Sequence, residues 1–182
     1  MDALTLSEMS EEFETPTLLA SDALKAVFRL HASGVAIITA ATAQGEPIGF
    51  TATSVTSLGS NPPLASFNIA QGSSSFEHLQ KGSLVAIHTL GNQNLALAQK
   101  LAGPKQDRFN EVDFVTGPEG LPLFPSATGY LIGRVREVFA VEANAVVVLD
   151  ALSAKVSQEE VKPLLYFQRG YLTAGQRLSD NF

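Results

Sequence analysis

A mainly β fold with only short helices, closed into an antiparallel barrel, is predicted by three features of this sequence. At least six stretches are rich in β-branched residues or alternate apolar with polar, which is the period of a strand. The helical stretches are short and do not alternate regularly with those runs, so the βαβ repeat of a doubly wound parallel sheet is missing. A chain of 182 residues, 45% apolar and 16% charged, has material for one hydrophobic core and is too apolar for disorder along most of its length. An antiparallel sheet closed on itself buries such a core and protects its own edges.

The elements follow in order. Residues 1–20 carry Asp2, Glu8, Glu11, Glu12 and Glu14 with no Lys or Arg, and Pro16 interrupts any helix begun there. They are expected to form an acidic arm, with the folded domain over 21–182. Leu24, Val27, Phe28 and His31 recur at helical spacing behind Ser21, a candidate N-cap, so a short amphipathic helix is expected over 21–31. After Ser33-Gly34, VAIITAAT reads as a strand, AQGEP as a turn and PIGFTATSVTS as a second strand. Residues 64–70 and 84–90 are further strands, GSSSFEHLQK is a loop opening a short helix, and NQNLALAQKLAG is a helix that stops at Gly103. Residues 103–126 predict a long loop with one short strand near 112–116. In GYLIGRVREVFAVE, Leu131, Val135, Phe139 and Val141 fall on one side and Arg134 and Arg136 on the other. That is a long half-buried strand, with NAVVVLDALSAKV as its antiparallel partner and LLYFQRGYL as a last element.

Composition removes several function classes. Only 12 Lys and Arg, scattered in a chain of net charge −6, cannot supply the phosphate neutralisation that nucleic-acid binding needs. With no cysteine there is no disulfide, no thiolate nucleophile and no thiolate metal site, which fits a reducing cytoplasm. The acidic N-terminus is unlike a secretory signal and no run offers ~18 uninterrupted apolar residues, so a cytoplasmic protein without a membrane span is expected. The glycine fingerprints of dinucleotide-binding, P-loop and hydrolase sites are absent. His31, His78 and His88 lie far apart in sequence, so no metal site is expected. Ser75 and His78, at i and i+3, read as a helix cap and a surface histidine rather than a nucleophile and its base.

Two polar patches could bind a ligand. Thr51, Thr53, Ser54, Thr56 and Ser57 interrupt an otherwise β-like run; small side chains and hydroxyls there let a flat heterocycle approach the backbone and bond along its edge. The GSSSF segment falls at an expected helix start, where free N–H groups favour an anion such as phosphate. Together they describe a nucleotide or a flavin. Each alone reads equally well as ordinary structure, an exposed strand of good β-propensity and a helix cap.

Taken in order, 33-SGVAIITA-40, 49-GFTATSVTSLGSNPPL-64, 73-SSSFEHL-79, 83-SLVAIHTL-90, 108-RF-109 and 169-RGYL-172 resemble the flavin reductase-like, FMN-binding split-barrel family across residues 28–172. The resemblance implies an antiparallel split barrel of Greek-key type, a homodimer, and a cofactor of FMN or FAD. It implies that Thr51, Ala52, Thr53, Ser54 and Ser57 line the flavin, that Ser73, Ser74 and Ser75 lie near its phosphate or ribityl chain, and that Arg108 and Phe109 serve its charge and its ring. The implied chemistry is hydride transfer from NADH or NADPH to flavin, with reduced flavin passed to a partner monooxygenase. The flavin carries the reactivity, so no acid–base dyad is required and the catalytic residues stay unassigned. Two departures stand out. Many members carry Gly-Asp-His before the strand beginning near residue 145, where this chain reads VEANAV, and AQGSSS lacks the basic residue often found there. The first keeps open an alternative, a flavin-binding protein without reductase activity that stores flavin or senses redox state.

Overall fold

The segment 36–41, Ala-Ile-Ile-Thr-Ala-Ala, is buried at every position but the last, on both faces at once. Ala36, Ile38 and Ala40 face one apolar cluster, Ile37 belongs to a second, and the Thr39 hydroxyl donates to the Pro122 carbonyl at 2.7 Å. A strand hydrophobic on both sides sits between two covered layers, and this one organises the molecule.

The computed structural model describes residues 19–157 and 161–175; of the acidic arm expected over 1–20, residues 1–18 lie outside them and Ala20 already belongs to the first helix. The chain runs α1 (Ala20–Arg29), β1 (Ser33–Gly34), β2 (Ala36–Ala41), β3 (Pro47–Ala52), β4 (Thr56–Ser60), β5 (Pro63–Ala70), β6 (Leu84–Thr89), α2 (Leu95–Ala102), β7 (Val115–Thr116), β8 (Pro122–Leu123), β9 (Gly129–Val141), β10 (Asn144–Val156), β11 (Leu164–Phe167) and β12 (Gly170–Thr173). Seven strands form one antiparallel sheet in the order β3-β2-β6-β9-β10-β5-β4. Smaller sheets join β1-β11-β12 and β7-β8.

The large sheet must curl. Laid flat, seven strands at ~4.8 Å spacing would hold β3 and β4 about 29 Å apart. Yet β3 ends at Ala52 and β4 begins at Thr56, and four residue steps reach at most ~14 Å. The sheet therefore rolls into a barrel around Ile38, Phe67, Val85, Val147 and Leu149, and its two edges meet without pairing. That unpaired seam splits the barrel. Outside it, α2 packs on β2 and β3 over Ile37, Ala98, Leu101 and Phe124.

Several elements depart from the sequence expectation for identifiable reasons. PIGFTATSVTS is not one strand: it breaks after Ala52 and resumes as β4 on the opposite edge. Helix α1 begins at Ala20, its N-cap position is Leu19, and no side chain caps it, so Ser21 is not the cap. The apolar stripe of α1 is real but uncovered, with Leu24 60%, Val27 67% and Phe28 63% exposed. In β9, Glu137 faces Val148 while Val135 faces Leu149, so Arg136 is an extra bulged residue. A bulge inverts the alternation beyond it; Val138 turns to the core, and Phe139 and Val141, expected inside, are each 56% exposed. The 103–126 loop holds two short strands rather than one. The last element is a hairpin whose turn residues, Gln168 and Arg169, both have left-handed φ, 49° and 65°.

Candidate functional site

Where β3 gives way to β4 the backbone has no sheet partner, and a polar corner results. Among the described residues the N–H groups of Thr53 and Ser54 have no acceptor. The Ser54 hydroxyl accepts the Asn68 N–H at 2.9 Å and donates to the Asn68 carbonyl at 3.3 Å, standing in for a strand that has not yet begun. Thr53 and Ser57 are exposed, whereas Ala52 is buried in the barrel. Thr51 is turned to the other layer, its hydroxyl donating to the Ala98 carbonyl of α2 at 2.6 Å. Beside Ser57, a cavity of about 410 Å3 opens into the barrel between Val55, Leu64, Ala65, Ile87 and Leu131. An apolar slot next to free donors is the environment a flat heterocycle with edge acceptors requires.

The serine loop leaves the end of β5. Expected to open a helix, it enters only a three-residue 3-10 turn, Phe76–His78, too short to build an end charge. Any affinity for an anion rests instead on the loop: the N–H groups of Gly72 and Ser74 have no acceptor among the described residues. The Ser73 hydroxyl accepts the Ser75 N–H at 3.3 Å, and Ser74 is exposed. Ser75 is buried and makes no side-chain cap, so the cap expected of it is not formed. His78 is half-buried, 3.3 Å from the Glu77 carboxylate, rather than fully on the surface.

Arg108 and Phe109 sit behind β3. The guanidinium donates to the Gly103 carbonyl at 2.8 Å and the Gly49 carbonyl at 3.0 Å, and partial burial lowers its pKa from the ordinary value. Phe109 lies parallel to Phe124, with ring centroids 6.3 Å apart and planes 15° apart, and edge-on to Phe114 at 5.6 Å. Together they fasten the loop after α2 to the strand that leads into the polar corner. No hydrogen bond or ring contact among the described residues links them to the serine loop.

The histidines are dispersed, and the described residues contain no group of three or more potential metal ligands. His88 is fully buried, with Nδ1 3.2 Å from the Ile37 carbonyl and Nε2 accepting the Phe124 N–H at 3.3 Å. Those partners require the proton on Nδ1. Burial pushes the imidazole down to about 4, against the raising effect of the Ile37 bond. It is neutral and sealed from any ligand. His31 is exposed beyond α1 and meets the Phe28 ring edge-on at 5.9 Å. No helix among the described residues is long and apolar enough to cross a membrane.

A family model, the flavin reductase like domain, matches residues 28–175. The chain belongs to the flavin reductase-like family. An NADH:FMN oxidoreductase of Rhodococcus erythropolis is 32% identical over 176 residues, covering 92% of this chain and 90% of that protein. A probable flavin reductase of Rhizobium meliloti is 31% identical over 160 residues, 86% of this chain, which spans only 51% of that longer protein. The reductase subunit of a stachydrine N-demethylase from the same organism is 29% identical over 149 residues, covering 82% of this chain and 64% of that one. Among solved structures, a flavin reductase domain protein from Arthrobacter sp. FB24 superposes with a TM-score of 0.81 at 37% identity, over 88% of this chain and 99% of that one.

Within this flavin reductase-like fold, sequence reasoning overlooked two residues. Asn68 is exposed on β5 directly against Ser54; the alternation of FNIA, with Phe67 and Ile69 inside, was the signal that it faces out. Gln71 is the other. Its backbone N–H donates to the Ala143 carbonyl at 2.8 Å, and its Nε2 donates to the carbonyls of Glu142 at 2.6 Å and Asn144 at 2.9 Å. The departing segment VEANAV is thus the tip of the β9–β10 hairpin, with Glu142 at a left-handed φ of 49°, and it is bound to the serine loop.

Proposed function

We propose that this chain is an NAD(P)H-dependent flavin oxidoreductase that supplies reduced FMN to a two-component monooxygenase. The observation that carries the reading is the unpaired corner at Thr53 and Ser54, with two free N–H groups beside an apolar cavity, in a chain of this family. In this reading the corner bonds the polar edge of the isoalloxazine, with the exposed Ser57 beside it and the inward-turned Thr51 and Ala52 as its backing. The Gly72 and Ser74 N–H groups and the hydroxyls of Ser73 and Ser74 hold the phosphate, with the buried Ser75 behind them. Arg108 and Phe109 brace β3 beneath the ring. FAD would use the same corner with its longer tail outside.

When bound, the flavin accepts hydride from the nicotinamide. The chain's own part is to fix the ring, keep one face open to the donor and exclude water from the apolar side. The name of one relative, the reductase subunit of a stachydrine N-demethylase, supports a reductase that serves a separate enzyme component. A homodimer belongs to the same reading: Leu58, Leu152 and Val156, exposed at 51%, 55% and 73%, offer apolar surface to a second copy beside the cavity. The missing cysteines fit a reducing cytoplasm.

A second reading has one observation behind it. The hairpin tip at Glu142 and Ala143 contains no histidine, and His88 cannot substitute because it is buried. A flavin store or redox sensor on the same barrel would bind FMN without turning it over. Anaerobic mixing of protein, FMN and NADH or NADPH separates the two. Catalysed loss of the flavin's visible absorbance is the reductase result; tight binding with only the uncatalysed rate would overturn it in favour of the store. Failure to bind FMN or FAD would end both.

Ser54→Ala frees both polar groups of Asn68 and loosens the corner, so its Kd for FMN is expected to rise about tenfold, the value of one to two hydrogen bonds. Thr53→Val should act in the same direction with the protein still folded. Titration by flavin fluorescence checks both, and unchanged Kd values would remove these side chains from the site and leave only the backbone donors in it.

A further inference from the structure

Gln71, which opens the serine loop, makes three hydrogen bonds to the β9–β10 turn. The β5–β10 ladder ends with Ala70 opposite Asn144. Beyond that pair, the Gln71 N–H reaches the Ala143 carbonyl at 2.8 Å, and its side chain folds over the turn to the carbonyls of Glu142 and Asn144 at 2.6 and 2.9 Å. A carboxamide nitrogen has two hydrogens, and both are committed. One residue thereby satisfies three consecutive carbonyls of the hairpin tip. The next residue, Gly72, and Ser74 carry the free N–H groups of the loop.

The serine loop packs into the barrel core at its far end, through Phe76 and the fully buried Leu79, while Gly72, Ser73 and Ser74 at its near end are outside that core. Its internal bonds are Ser73 N–H to the Ala70 carbonyl at 2.9 Å, Phe76 N–H to the Ser73 carbonyl at 3.0 Å and the 3.3 Å contact from Ser75 N–H to the Ser73 hydroxyl. Of these the first reaches a barrel strand, at the last residue of β5 itself. Gln71 adds a tie at the near end, to the β9–β10 turn 71 to 73 residues away in sequence. Donors held in place before a ligand arrives bind it without the cost of ordering them.

We propose that Gln71 is a positioning residue that clamps the serine loop to the β9–β10 turn and so presets the Gly72 and Ser74 N–H groups for the flavin phosphate. The inference rests on the proposed placement of that phosphate. It separates the flavin's two ends: ring binding belongs to the Thr53–Ser54 corner, phosphate binding to a loop whose position depends on Gln71.

Riboflavin, which has the ring and no phosphate, tests it against FMN. Gln71→Ala, or Gln71→Met should the first not fold, removes the side-chain bonds and keeps the backbone one. The wild-type protein should bind FMN more tightly than riboflavin. In the variant the Kd for FMN should rise about tenfold, as expected for losing two bonds to carbonyls, while that for riboflavin stays within about twofold. Equal weakening of both ligands would reduce Gln71 to a general structural role and overturn the proposal, as would an unchanged FMN Kd. Equal affinity of the wild-type protein for the two flavins would instead refute the phosphate placement itself, and the proposal with it. A thermal melt of each variant confirms that folded protein was titrated.

Discussion

Gly49→Val is expected to lower the melting temperature by about 4–8 °C, corresponding to about 2 kcal/mol in a chain of this size. A Cβ at Gly49 would stand 2.9 Å from both Leu101 Cδ1 and Phe109 Cζ and 3.3 Å from the Ile38 carbonyl oxygen. Leu101 is fully buried, and Phe109 is held between Phe114 and Phe124, so neither can step aside freely. The carbonyl belongs to the adjacent strand and cannot yield without opening the β2–β3 ladder, where Gly49 faces Thr39. The same residue offers its own carbonyl to Arg108 at 3.0 Å, so the clash also disturbs the brace behind the polar corner. Gly34→Val is the control, because a Cβ there meets nothing within 4 Å. A Gly49→Val melt within about 1 °C of the wild type would show that α2 and its loop can shift at little cost.

The second large effect is a loss of stability in acid that belongs to one imidazole. His88 is held at about 4, chiefly by burial, against an ordinary value of 6.5. The unfolded chain therefore takes up this proton first as the pH falls. Its contribution is complete above about pH 6.5, shrinks between there and pH 4, and is gone below, a difference of ~3 kcal/mol at most. Denaturant titrations at pH 7.5 and 4.5 measure it, with His88→Gln as the reference. The wild type should lose more stability over that interval than the variant. Parallel losses would mean that other groups set the acid response and that His88 is less sealed than its contacts imply.

What the sequence disclosed about the fold was what period alone can carry. Runs such as VAIITA and SLVAIHTL are dominated by β-branched and apolar residues, and they became β2 and β6, flanked on both sides by strands. Features that depend on a single inserted residue or on distant partners stayed hidden. The bulge at Arg136 sent Phe139 outward although its spacing from Val135 looked ideal. The stripe on α1 had the right period, yet period does not say what will cover it. The break after Ala52 was masked because Thr and Ser serve a strand and an open corner equally well.

The site was legible in the same uneven way. Hydroxyl-rich composition pointed to residues 51–57 and 73–75, but not to which hydroxyls are used internally: Thr51 bonds α2 and Ser54 bonds Asn68. The donors that remain free at Thr53, Ser54, Gly72 and Ser74 are backbone groups, and no choice of side chain announces them. Gln71 was invisible for another reason. Its role exists only when residues 142–144 are brought beside it.

The short link at residues 53–55 has a consequence for how the protein is made. It crosses the seam, but nothing draws the two halves together until β5, residues 63–70, zips against β10, residues 144–156. The corner that precedes residue 60 is therefore completed by a strand synthesised some 80 residues later, a long-range closure that is slow by nature. A growing chain holds every donor of the corner early and cannot arrange them. Its capacity for a cofactor should switch on late in translation, as β10 clears the ribosome, rather than build up gradually as the residues emerge.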